Sequence, residues 1–335
     1  MPVTLFEGIA ERCERGISHL SSAHLNINTK GIPTMFLNSR WFMRTGTSAA
    51  AITVAVLASA NSAGANEITT ELGPAYGYVL LGLTGSISNL SSGPLVFNGG
   101  IGVDSGASLA ASGGGRINGT VFADPGATVN TSGVTVTGGT TTQSMSSAQN
   151  AAIAASTFFD SLTPTQSFST ISSSTTITGN GGVNVINIGS GGINLSGGAL
   201  TISGGSNDIF VFQVNGASSV QGGAQIVLNG VSPNQVLFDF PFTATWAVQQ
   251  SSNGAVLQGI FLAPHAGFNI NGSNTTSDTA EFITGSTANF QSNPVVNAVP
   301  LPASGWLLLS ALGAMGLLVR RNRSESASLP GAVSC

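Results

Sequence analysis

The feature that most limits what this chain can fold into is the brevity of its apolar runs and the glycines that close them. Most of Gly133-Val-Thr-Val-Thr-Gly138, Val183-Asn-Val-Ile-Asn-Ile188, Ile193-Asn-Leu195, Ala199-Leu-Thr-Ile-Ser203 and Gln225-Ile-Val-Leu-Asn-Gly230 alternate apolar residues with Thr, Asn or Ser at close to period two. That alternation marks half-buried strands. Glycine at the joints supplies the positive φ of tight corners, and asparagine is the next best residue there. Strands this short bury no core alone, but they do so when stacked as rungs that each cover a neighbour. The expected fold is therefore mostly β, a parallel β-solenoid with Val, Ile, Leu and Phe inward and Thr, Ser and Asn outward. At about 20 residues per coil it would hold on the order of ten coils. The competing all-β fold, a sandwich, shows longer strands and fewer glycines.

Charge narrows the partners. Only 7% of the 335 residues are charged, while 45 are Gly and 41% are apolar. Ordinary soluble proteins carry about a quarter charged residues. The cations are too few to neutralise phosphates, which excludes nucleic acid. Plentiful β-branched and aromatic residues exclude intrinsic disorder.

Residues 145–162 break the pattern. They lack Gly, and Met145, Ala148, Ala152, Ala155, Phe159 and Leu162 fall on one helical face. Ser146 and Gln149 suggest a capping box, and Pro164 a stop. One α-helix is expected alongside the solenoid, with Phe158 or Phe159 and Leu162 docked on its side. The later runs 209–214, 235–240 and 256–263 are nearly continuous in apolar residues. They fit strands buried on both faces, where a helix or loop covers the sheet.

The two ends read as addresses. Residues 1–34 hold six of the charges, Cys13 and two of the three His, and are expected to be a mis-called extension. Residues 35–65 read as a secretion signal. Arg40 and Arg44 precede the apolar run Ala49–Ala60, and Ala63 and Ala65 frame a small-residue cleavage site. The predicted mature domain is 66–297. It has nine acidic residues against the single base Arg116, nine minus one giving a net charge near −8. Both cysteines, Cys13 and Cys335, fall outside it, so the exported domain has no disulfide. Residues 298–323 form the second address. Val299, Pro300, Leu301, Pro302 and Ala303 are followed by the apolar Gly305–Val319 and then Arg320, Arg321 and Arg323. The apolar run is short for a comfortable span. The arginines favour the cytoplasmic side, with the tail 324–335, and leave the body outside.

That C-terminal order resembles the PEP-CTERM sorting tail in its VPLPA variant. The resemblance implies an exosortase-type processing enzyme as partner, a transient membrane anchor through the C-terminal helix, and release to the cell surface or extracellular matrix. A second resemblance covers the body. Val236-Leu-Phe-Asp-Phe-Pro241, Leu257-Gln-Gly-Ile-Phe-Leu-Ala-Pro-His265, Phe268-Asn-Ile-Asn-Gly272 and Glu281-Phe-Ile-Thr-Gly285 look like the choice-of-anchor A domain family. Leu72-Gly73 and Tyr76–Leu83 open the domain compatibly. That likeness implies an anchored, non-enzymatic, adhesin-like domain. A weaker likeness is to bacterial ice-binding proteins, which combine a β-solenoid with one helix alongside.

Residues suited to chemistry are few. His265 is the only His of the body and follows an apolar strand as a turn residue, with no nucleophile motif or Cys to serve it. One His and no Cys make a poor zinc site. Asp239 and Glu281 are the one pair that neighbouring coils could join across a cleft for glycoside hydrolysis. Asp278 and Glu281 lie in a stretch that reads as loop. Gly204-Gly205-Ser206-Asn207-Asp208 is one imperfect copy of a calcium nonapeptide. Thr140–Thr142, Ser172–Thr176 and Thr275–Thr276 could order water on a flat face, or simply be good strand residues. Trp246, Tyr76 and Tyr78 could stack on sugar rings or be buried. The sequence therefore points to an exported surface or matrix protein with a structural or adhesive role. A matrix polysaccharide or other surface ligand is its expected partner, with no cofactor, no metal site and no enzymatic activity. Ice binding is the first alternative and exopolysaccharide hydrolysis the lesser one.

Overall fold

A computed structural model describes residues 66–88, 95–250, 255–271, 277–291 and 294–300. The predicted signal and extension, Leu301 onward and the apolar run 305–319 lie outside the described residues. The chain forms a parallel β-solenoid of about nine turns with three faces. Every strand pairing is parallel, as in Gly182–Ile188 against Asp208–Val214 over seven consecutive residues.

The order of coils departs from the order of sequence. The chain starts in the middle of the stack with Tyr78–Ser88, which bends across two faces. It climbs through Gly100–Ala110 and Val121–Ala123 to Thr140–Thr142 at one end. A helix carries it back to Gln166–Phe168 at the opposite end. From there it climbs again until the last coil meets the first. Leu80 aligns with Phe282, Ile87 with Ala288 and Val96 with Val295. At this seam the Asn118 amide donates to Asn98 Oδ1 and the Asn98 amide to Asn297 Oδ1, each at 2.7 Å. Residues 298–300 continue onto the body. The Ala298 N–H bonds the Asn98 carbonyl, Val299 is buried, and the Tyr76 hydroxyl donates to the Pro300 carbonyl at 3.0 Å.

Phenylalanines fill the column on its helix-covered side. Phe212, Phe238, Phe261 and Phe282 come from consecutive rungs with ring centroids 4.6, 4.9 and 5.3 Å apart and nearly parallel planes. Strand pairing at about 4.8 Å forces this stack once each rung places Phe at the same inward register. Phe268 and Phe290 pack edge-on against Phe282 from the next face. Glycine is required where rungs nearly touch. A Cβ at Gly285 would collide with the Pro264 carbonyl of the adjacent coil.

The long helix, α2 (Ser146–Asp160), follows a short α1 (Asn66–Leu72). It buries Ala148, Ala152, Ala155 and Phe159, the face its periodicity predicts, and Phe158 and Leu162 dock beside them. The expected capping box does not form. Gln149 reaches the Leu83 carbonyl instead, and the amide before the helix, Met145 N–H, is taken by Asp124 Oδ2 at 3.1 Å. Tertiary acceptors satisfy these groups in place of a local cap.

Candidate functional site

The face crossed by α2 is closed. Alternate outward residues Ile209, Val211, Leu237, Ile260, Leu262, Ile283 and Leu81 are buried beneath the helices in a second apolar cluster with Leu72, Met145 and Phe159. This explains the continuous apolar runs, since both sides of these strands lie in apolar surroundings. Three polar residues sit under the same cover. The Gln213 amide donates to the carbonyls of Phe159 at 2.8 Å, Asp160 at 3.2 Å and Leu162 at 2.8 Å, closing the C-terminal end of α2. Asp239 accepts from the Ser156 hydroxyl at 2.7 Å, and its second oxygen has no partner. Burial, with Asp160 adding to it, pushes the Asp239 carboxyl up to about 8 against the pull of Ser156. Glu281 accepts the Gly77 N–H at 3.2 Å, and burial holds its carboxyl well above the usual range.

Asp239 and Glu281 are not brought together across a cleft. They stand on strands separated by Gln258–Ala263, each aimed into the helical cover and each with its own partner. Water and substrate reach neither, so the hydrolase pairing has no site here. Asp278 lies in strand Ser277–Thr284, not in a loop, and points into the core, where it accepts the Leu257 N–H at 2.8 Å. Its carboxyl is pushed up to about 7 by burial, opposed by that bond and by Gln250. His265 is an exposed turn residue between two faces.

The calcium-like stretch is explained without an ion. Asp208 Oδ2 accepts the Gly205 N–H and Oδ1 the Gly181 N–H, both at 2.8 Å, and the Asn184 amide adds a third bond at 3.1 Å. The Gly205 bond leads in holding its carboxyl below the usual range. The carboxylate ties two coil corners together, and a Cβ at Gly204 would crowd it at 2.9 Å. Asp208→Ala leaves three donors without this acceptor and is expected to cost about 3 kcal/mol. Asp208→Asn recovers only part of it. Chemical denaturation of the two variants measures both. Among the described residues no cluster of three or more His, Cys, Asp or Glu could hold a metal ion.

Two faces remain open, and one carries an ordered polar row. Asn194, Ser219, Gln249, Asn269, Asn289 and Ser88 align strand by strand and alternate with the inward Leu195, Val220, Gln250, Ile270 and Phe290. Their spacing is that of the rungs, about 4.8 Å. A shorter hydroxyl row, Ser86, Ser108 and Thr128, continues the same face beyond the seam. The threonine tracts do not converge on it. Thr140–Thr142 is the exposed end strand of the helix-covered face, Thr175–Thr178 lies near the opposite end, and Thr275–Thr276 falls outside the described residues. Tyr76 is bonded to Pro300, and Tyr78 packs edge-on to Phe122 at 5.9 Å. Trp246 is half-buried on the open face.

Of the sorting motif, Val299 is buried at the seam and Pro300 is exposed. Leu301, Pro302, Ala303, Arg320 and Arg321 lie outside the described residues, as do Ala63 and Ala65. No helix among the described residues is long and apolar enough to cross a membrane. Sequence reasoning missed Gln213 and the Asn118–Asn98–Asn297 ladder. The 20-residue step from Asn98 to Asn118, one coil, was the available signal for the ladder. Nothing local marks Gln213.

A family model described as "Putative Ice-binding-like adhesive domain" matches residues 48–279. No curated protein matches the chain. Among solved structures, an ice-binding protein from the Antarctic ascomycete Antarctomyces psychrotrophicus is 20% identical with a TM-score of 0.46, over 69% of this chain and 98% of that one. A glycosylated ice-binding protein from an Arctic yeast is 16% identical with a TM-score of 0.49, over 69% and 94%. An ice-binding protein from an Antarctic Flavobacteriaceae bacterium is 22% identical with a TM-score of 0.51, over 69% of this chain and 47% of that one. The chain thus spans about half of the Flavobacteriaceae protein, and the likeness is one of fold.

Proposed function

The chain belongs to the ice-binding-like adhesive domain family, and from that premise we propose that it is an exported adhesive protein of the cell surface or extracellular matrix. The single observation behind this reading is the open face, where six amide and hydroxyl residues stand in register across consecutive rungs. A row of this kind meets a ligand that repeats along one direction, and many weak hydrogen bonds then add by multivalency. The signal at 35–65 and the VPLPA-type tail at 298–323 would deliver it. An exosortase-type enzyme would process it from a transient membrane anchor, with a matrix polysaccharide as the surface ligand.

Ice binding is the second reading. The regular rung spacing and the row Ser86, Ser108 and Thr128 favour it. Against it stands the scatter of the threonines over different faces and ends. The deciding experiment partitions the purified full-length protein into slowly grown ice and, in parallel, measures adsorption to matrix polysaccharide and to collagen. Adsorption without ice enrichment supports the adhesive reading. Strong enrichment in ice with no adsorption replaces it by the second.

A further inference from the structure

One place on the open face is not regular. In strand Ala244–Gln250, Ala244 aligns with Ala266 and Val248 with Phe268, so four steps on one rung oppose two on the next. The two surplus residues make a bulge-like irregularity in the pairing, where Thr245 is exposed and Trp246 half-buried, while Ala247 and Val248 both stay in the core. Bulges re-aim side chains and cluster at functional sites. Gly267, on the neighbouring rung, is crowded from both sides: a Cβ there would collide first with the Thr287 carbonyl and then press on the Thr245 carbonyl at 2.7 Å. Phe242 and Ala244 pack against the core, whereas Trp246 joins neither apolar cluster. Three residues further along the same strand is Gln249, directly aligned with Asn269 on the next rung. The strands around this spot, 218–220, 244–250, 266–271 and 288–291, contain no Asp, Glu, Lys or Arg.

We propose that Trp246, Gln249 and Asn269 form a binding subsite for a neutral polysaccharide chain. This rests on the adhesive reading and names its ligand class. An indole offers an apolar face to the C–H side of a sugar ring and an N–H at its edge. Paired amides supply donors and acceptors for ring hydroxyls. A face without charge, on a body of net charge near −8, suits a neutral polymer and repels anionic ones.

The test uses native gels of the full-length protein cast with hydroxyethylcellulose, a neutral glucan, or with alginate, an anionic one. Retardation by the neutral polymer alone is expected. Trp246→Ala should weaken it at least tenfold and Trp246→Phe far less. Because Trp246→Ala removes a half-buried ring, the amide pair Gln249→Ala with Asn269→Ala provides an independent route, with an expected loss of about fivefold or more. Wild-type retardation in both variant proteins overturns the subsite and leaves the adhesive reading intact. Retardation by alginate alone overturns the assignment to a neutral glycan. Absence of retardation by either polymer overturns it too, and if ice enrichment accompanies that result the adhesive reading falls with it.

Discussion

Asp239→Asn is expected to flatten the dependence of stability on pH. In the wild-type protein Asp239 is buried under α2 with its carboxyl raised to about 8, and Asp278 lies in the core raised to about 7. Unfolded, both take the ordinary value near 4. The folded state therefore keeps protons that the unfolded state releases. Stability from these groups is complete below about pH 4 and declines as pH rises toward 7 for Asp278 and 8 for Asp239. Above that it changes no further. A tenfold difference in proton affinity between the two states is worth about 1.4 kcal/mol, so Asp239 alone accounts for a loss on the order of 5 kcal/mol between pH 4 and 9. The asparagine keeps the Ser156 bond, cannot ionise, and should remove a large share of the total decline, with Asp278 and the likewise raised, buried Glu281 supplying the rest. Urea denaturation from pH 4 to 9 measures it. A wild-type protein more stable at pH 9 than at pH 5 would refute the account. Asp208 and Asp124 carry lowered values and act oppositely, withdrawing stability below about pH 4. The optimum is thus mildly acidic.

Phe238→Ala carries the second large effect. Phe238 is fully buried and stacked on both sides, at 4.6 Å on Phe212 and 4.9 Å on Phe261. Removing a buried ring costs about 3–5 kcal/mol, because the cavity closes only in part. Here closure is resisted by the backbone, since the rungs above and below are held at fixed spacing. Total stability of a domain is about 5–15 kcal/mol, so a large share would go with one side chain. Phe238→Leu fills most of the gap and should cost about 1.5 kcal/mol. Denaturant midpoints at unchanged m-value distinguish the two.

Much of this architecture was legible because its period is local. Ala199–Ser203 alternates, glycines close the corners, and the Ala-rich face of 145–162 names its own buried side. The unbroken runs at 209–214 and 235–240 marked the strands beneath the helix for the same reason. What escaped was whatever two distant rungs decide together. Asp239 and Glu281 looked like a joinable pair because sequence shows neither the strand between them nor the helix above. Gln149 looked like a cap because a capping box is a local pattern, whereas its partner, the Leu83 carbonyl, is 66 residues away. The bulge at Trp246 is invisible in one strand, since a bulge exists only against its neighbour.

The seam gives the molecule a mechanical character. A solenoid built in sequence order peels coil by coil from the terminus that is pulled. In this chain both ends of the stack, Thr140–Thr142 and Gln166–Phe168, are mid-chain coils, while the first coil and the last coil are neighbours in the interior. A load entering at Val299 meets Asn98 and Tyr76 about 200 residues earlier in the chain, and passes into coils on both sides at once. A pull at Val299 is thus borne by interior coils, and neither end of the stack is the first to unravel.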